Sequence, residues 1–305
     1  MKIQLNRLTT PFDLENTLSC GQAFRWEKLG GWWYGVVKEK VVKVKQTSEG
    51  LEFQTYPEMT DADFARNYFR LDDDLPHILS KINHDECIGK AIQELHGLRI
   101  VRQEPWECLI SYICATYKNI PAIRKMILNL SKRFGKKITF DGCGFYTFPK
   151  PSSLAEANLE EIKRCELGFR SSRVSETSKI IDRQEFSLES LKKSDYGKAK
   201  CELLTLPGVG NKVADCVLLF SLDKLEAFPV DVWMKRIILE SYSDHFEKLF
   251  IRQALGKRSV TPSEYREISL FGRKYFGEYA GYAQEYLFQY FRQATTKILN
   301  ISCER

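Results

Sequence analysis

Residues 203–219 read LLTLPGVGNKVADCVLL, and few backbones can carry that string. An apolar helical pattern runs into Leu206-Pro207-Gly208-Val209-Gly210, and a second begins near Asn211. Proline stops the first helix, and two glycines one residue apart let the chain reverse tightly and lie close to a ligand. The second helix then points unpaired N–H groups and the positive end of its dipole outward, where an anion can sit. Pro-Gly-x-Gly by itself could merely join two packed helices; the longer L-P-G-x-G-x-K-x-A-D is far more specific. Lys212 opens the second helix. A lysine there is ordinarily a solvated surface residue, yet the dipole disfavours its charged form, and desolvation would act in the same direction. Only a neutral amine attacks as a nucleophile. Downstream, Phe228-Pro229-Val230-Asp231-Val232-Trp233 sets Asp231 between apolar neighbours, as the N-cap of VWMKRIILE, as a reacting carboxylate, or as both.

The rest of the chain divides by period. Residues 31–56 alternate aromatic or β-branched residues with charged ones, the pattern of half-buried antiparallel strands, with a turn at Ser48-Glu49-Gly50. DADFARNYFR and ILSKINHDECIGKAIQEL then read as amphipathic helices. After Gly97 nearly every segment is helical, broken at Pro105, Pro121, residues 149–153, Pro207 and Pro262. The tail is dense in Tyr and Phe at helical spacing, which reads chiefly as core packing. The expected fold class is α+β: an antiparallel sheet with helices in residues 1–103, then a mainly α-helical domain in residues 104–305 that contains the hairpin.

Charge adds little. The 46 basic side chains exceed the 40 acidic ones by +6, which is compatible with a nucleic-acid partner without demanding one. No apolar run is long enough to cross a bilayer, and KIQLNRL after Met1 is not a secretory leader. An intracellular location is expected, cytoplasm or nucleoid, or the nucleus in a eukaryote, with no membrane partner. The nine cysteines are odd in number, scattered and never spaced C-x-x-C, so reduced buried thiols are expected, with no disulfide framework, metal site, iron–sulfur cluster or other cofactor.

LPGVG resembles the helix-hairpin-helix element of DNA-binding proteins, whose amides grip the phosphate backbone without reading sequence. LPGVGxK followed by an apolar spacer and PVD resembles the helix-hairpin-helix-GPD superfamily of base-excision glycosylases, where a lysine at the position of Lys212 marks enzymes that are also β-lyases. Four further blocks, SCGQAFRW, EPWECLISYICATYKNI, LGFRSSRV and GYAQEYLF, occur in matching order and narrow the resemblance to the 8-oxoguanine DNA glycosylase family, over nearly the whole chain.

That resemblance implies a TBP-like N-terminal domain and a monomer acting on double-stranded DNA that contains oxidised guanine. Lys212 would be the nucleophile and Asp231 its carboxylate partner. The carbonyl of Gly21 would meet the N7 hydrogen that distinguishes 8-oxoguanine from guanine. Cys216 and Phe288 would sandwich the extruded base, Gln284 would bind its Watson–Crick edge, and Phe220 would complete the pocket. Gly208, Val209 and Gly210 would hold phosphate, where the resemblance allows a bridging cation. Phe169 would be the wedge, Arg170 the reader of the opposite cytosine, and Asn119, Tyr117 and Trp233 further DNA contacts.

Three departures stand out. Tyr117-Lys118-Asn119 replaces a run of asparagines, Ala122 stands where a second cytosine-reading arginine is expected, and Trp233 replaces a histidine. Relaxed opposite-base preference follows as an expectation. A glycosylase for another damaged base on the same scaffold and a non-catalytic helix-hairpin-helix DNA-binding protein are the competing readings. The first would need a different pocket; the second would need neither Lys212 nor Asp231.

Overall fold

The computed structural model of the chain describes residues 1–5, 10–59 and 62–303, the side chains of 296–303 excepted. Five strands, β1 (Lys2–Gln4), β2 (Trp26–Leu29), β3 (Trp32–Val37), β4 (Lys40–Thr47) and β5 (Gly50–Tyr56), form one antiparallel sheet in the order β1-β5-β4-β3-β2. Thr47 pairs with Gly50, so Ser48 and Glu49 make the expected turn. On one face Trp33, Val37, Val42, Val44, Leu51 and Phe53 pack with Leu14, Leu18, Ala65 and Phe69. Gly35 is needed here: a Cβ at this position would lie 2.5 Å from the indole of Trp26, its partner across the ladder.

The other face is covered in part. Tyr34, Val36 and Val41 are buried under Ile138, Phe140 and Phe145, which belong to a second hairpin, β6 (Lys137–Phe140) and β7 (Cys143–Tyr146). This hairpin is an exception within the mainly helical stretch expected beyond Gly97. Each strand is only four residues long, too short to show a period, but its link is Asp141-Gly142 with φ of 50° and 74°, a two-residue turn that Asp-Gly favours.

The stretch ILSKINHDECIGKAIQEL is likewise two helices, Leu75–Ile82 and Glu86–Glu94. Asp85 divides them, because its side chain accepts from the Cys87 and Ile88 amides at 2.8 and 3.1 Å and so starts a new helix. Both helices bury Leu75, Ile78, Ile82 and Ile88 in the same core as Leu109, Val217 and Leu287. At the centre of that core lies Pro105–Ala115, buried at nearly every position, against which Asn211–Ser221, Ile120–Phe134 and Arg170–Asp182 pack. A closing helix, Ala280–Cys303, approaches Asn211–Ser221 so closely that a Cβ on Gly281 would lie 2.1 Å from Leu219 Cδ1. No helix among the described residues is long and apolar enough to cross a membrane. The eight cysteines whose side chains are described are free; that of Cys303 lies outside the described residues.

Candidate active site

The hairpin takes the form its glycines require. Gly208 has φ of +81°, a left-handed conformation, and a Cβ there would lie 2.8 Å from Arg173 Cβ. Gly210 differs. Its backbone is extended, it is the N-cap of Asn211–Ser221, and a Cβ would meet nothing within 4 Å. Neither strain nor packing calls for glycine at that point; what its bare backbone provides is open access to the uncapped first-turn amides. Val209 buries its side chain in the core, so only its backbone faces the hairpin's exterior.

Lys212 is half-buried on the first turn of this helix, its Nζ 4.7 Å from the ring centre of Tyr112. Tyr112 was not singled out in the sequence, yet it joins the two halves of the site. Its hydroxyl donates to the Gln22 carbonyl at 2.9 Å, and its ring stacks on Phe220 at 5.5 Å. Phe220 therefore supports the pocket from behind Tyr112. Gln22 is buried and fixed in turn, donating to the Thr17 and Arg99 carbonyls and accepting from Val101 N–H. Gly21, next to it, has φ of +99°, and a Cβ would collide with Ile120 Cδ1 at 2.7 Å. Any other residue would be strained and would push Ile120 away.

Asp231 fills one of its two expected roles directly, since Oδ1 accepts from Met234 N–H at 2.8 Å as the N-cap of Val232–Ser241. Cys216, one turn after Lys212, is buried, and burial pushes its thiol up to about 12, the Lys212 charge and hydrogen bond pulling the other way. It is a neutral, apolar wall. Gln284 is 5% exposed and its Oε1 has no partner among the described residues, an orphan acceptor that a donor on a bound base would satisfy. Phe288 and Gly21 share Arg292 as a neighbour: its guanidinium lies 5.9 Å from the Phe288 ring, and Nη1 would be 3.3 Å from a Cβ on Gly21.

Glu285 adds a group that its local sequence does not single out. Buried beside the Cys20 thiol, its carboxyl is pushed up to about 7 by burial, with Asp231 adding to the rise and Cys20, Arg292 and Lys212 opposing it. The folded chain thus keeps a proton that an unfolded glutamate gives up near 4.5. Stability is intact below that pH and falls by about 3 kcal/mol as pH rises through about 7. Glu285→Gln, uncharged throughout, should gain on the native chain across this window in thermal unfolding; a constant gap between the two would refute the assignment.

Comparison with known proteins agrees with this geometry. Residues 3–109 match the model of the 8-oxoguanine DNA glycosylase N-terminal domain. Over 90% of its length the chain is 32% identical to the N-glycosylase/DNA lyase of Saccharomyces cerevisiae, covering 82% of that protein. It is 30% identical to N-glycosylase/DNA lyase OGG1 of Arabidopsis thaliana, with 94% of the chain and 78% of the relative aligned. The chain belongs to the 8-oxoguanine DNA glycosylase family. The fold agrees as well: the complex of the Clostridium acetobutylicum 8-oxoguanine glycosylase/lyase with dsDNA containing cytosine opposite to 8-oxoG superimposes with a TM-score of 0.81 at 33% identity, covering 93% of both chains.

For an 8-oxoguanine glycosylase of this family, the remaining expected contacts fall on exposed tips, with one exception. Tyr117 is 82% exposed, Phe169 64% and Trp233 48%. Asn119 caps Ile120–Phe134 by accepting from Ala122 N–H at 3.0 Å. Arg170, expected to reach the opposite base, instead points inward at 3% exposure, its guanidinium bonded to the Leu167 and Thr116 carbonyls.

Proposed function

We propose that this chain excises 8-oxoguanine from double-stranded DNA and then nicks the abasic strand, with Lys212 as nucleophile. The observation that carries the reading is the placement of the Lys212 amine at the head of the hairpin helix, on the face of the tyrosine that also holds the Gln22 carbonyl next to Gly21. The names of the yeast relative, a glycosylase and lyase, and of the solved complex with 8-oxoguanine DNA support it.

As the C1′–N9 bond breaks, its electron pair leaves with the base, and the sugar acquires positive charge that Asp231 stabilises. The Lys212 nitrogen bonds to C1′, the sugar ring opens, and an imine forms. The imine acidifies C2′; loss of that proton expels the 3′ phosphate and cuts the strand. Amine and carboxylate supply the chemistry, so the reaction calls for no cofactor. The Gly21 carbonyl favours the lesion because N7 carries a hydrogen in 8-oxoguanine and a lone pair in guanine. The reading takes the enzyme to be a monomer inside the cell.

Borohydride trapping on a duplex with one 8-oxoguanine tests this. Native protein should form a covalent adduct, and Lys212→Gln should form none; no adduct with native protein would sink the lyase activity. Ala122 and the inward Arg170 leave no guanidinium presented at the opposite base by either expected position. A bidentate reader contributes about 1–3 kcal/mol of discrimination, so single-turnover excision opposite C, A, G and T should agree within about tenfold. A cytosine preference of about a hundredfold would contradict it.

A further inference from the structure

The inward turn of Arg170 leaves open what does hold the nucleotide opposite the extruded base. We propose that this orphaned base is held by stacking on two aromatic tips, Tyr117 and Phe169, which Arg170 fastens together from within the protein. The inference rests on the function proposed above and adds a different mode of partner recognition.

Arg170 has the contacts of a clamp. Nη2 donates to the carbonyl of Thr116, which immediately precedes Tyr117, and Nη1 donates at 3.3 Å to Leu167, two residues before Phe169. Its guanidinium carbon also sits 4.2 Å from the Phe169 ring centre, a cation–π contact that sets the ring's orientation. The remaining Nε is buried without a partner among the described residues, so no edge of the group is offered to solvent. One buried cation thus ties together the two loops that carry the exposed rings.

The tips themselves are arranged against ordinary preference. Tyr117 stands 82% exposed with φ of 55°, a left-handed conformation that a bulky non-glycine residue rarely adopts. Phe169, at 64% exposure, follows Gly168, which supplies φ of 60°. Both tips are continuous with the phosphate-binding hairpin. Gly208 packs on Arg173, in the helix that Phe169 caps, and on Ile113, in the helix that ends two residues before Tyr117. Thr177 of the former helix also donates to the Pro207 carbonyl at 2.9 Å. A duplex gripped at the hairpin therefore runs past both rings.

What fits two exposed rings beside a phosphate site is another flat ring, and every nucleobase has one. Stacking on an aromatic side chain strengthens binding about five- to a hundredfold per base and does not depend on which base it is. Hydrogen bonding by a projected arginine would discriminate; ring stacking would not. Relaxed opposite-base preference then has a cause in named residues.

Binding to a duplex with a tetrahydrofuran abasic-site analogue tests this without any catalytic step. The analogue is placed opposite each of the four bases in turn, and opposite 2-aminopurine as a fluorescent reporter of stacking. Tyr117→Ala should weaken binding about tenfold or more for all four partners and brighten 2-aminopurine in the complex, while Tyr117→Phe stays within about twofold of native. Arg170→Gln should weaken all four partners equally. Tyr117→Ala binding within about twofold of native, or an Arg170→Gln loss confined to cytosine, would overturn the proposal. Failure of borohydride trapping would strike the proposed reaction and leave this binding result standing.

Discussion

Asp231→Asn should slow single-turnover excision of 8-oxoguanine by about 10²- to 10³-fold while scarcely moving the unfolding midpoint. The two readouts separate because Asp231 does two things. Its Oδ1 caps Val232–Ser241 through Met234 N–H at 2.8 Å, and an asparagine oxygen caps a helix about as well as aspartate. What asparagine lacks is the negative charge that balances the developing positive sugar. Asp231→Ala removes both functions, so it should lose the same activity and about 1 kcal/mol of stability besides. Full activity in Asp231→Asn would reduce the residue to a cap and leave the chemistry to Lys212 alone.

Residues that act through backbone geometry or local spacing were readable from the chain. The hairpin glycines, the period-two strands and the lysine one turn before Cys216 all depend on neighbours within a few positions. Tyr112 and Glu285 were not, because each acquires its surroundings from segments far away in sequence. Tyr112 lies in an apolar helix where one more buried aromatic is unremarkable, and its contact with Gln22 spans ninety residues. Glu285 reads as a charged residue on an ordinary amphipathic helix, and only the fold brings it near Cys20, Lys212 and Asp231. Arg170 was placed by resemblance to a role that requires it to project. Local sequence could not show that the Thr116 carbonyl, across a loop, would bond it inward.

Asp215→Ala should cost about 3–5 kcal/mol and lower the unfolding midpoint by about 10 °C. Asp215 is fully buried one turn along from Lys212, and it anchors the hairpin from beneath. It accepts from the Tyr196 hydroxyl at 2.7 Å, the Lys200 ammonium at 2.8 Å and the Tyr265 hydroxyl at 2.5 Å. Tyr196 and Lys200 stand on the first hairpin helix, Tyr196–Leu203, and Tyr265 on Pro262–Phe276, so one carboxylate joins three helices. Burial pushes the Tyr196 and Tyr265 hydroxyls well above their ordinary range, and the charge of Asp215 adds to it, which keeps both protonated as donors. Alanine would leave the Tyr196 hydroxyl without an acceptor, the Tyr265 hydroxyl with only the Asn211 carbonyl at 3.2 Å, and the largely buried Lys200 ammonium without its counter-charge and with only the Tyr196 oxygen at 2.9 Å, the situation in which breaking a buried ionic network is most costly. The same loss loosens the angle between the hairpin helices, and with it the first turn that carries Lys212. Trapping well below the new midpoint should therefore fall as well. If Asp215→Ala unfolds no earlier than the native chain, the hairpin is held by Leu203, Val209 and Val213 in the apolar core alone.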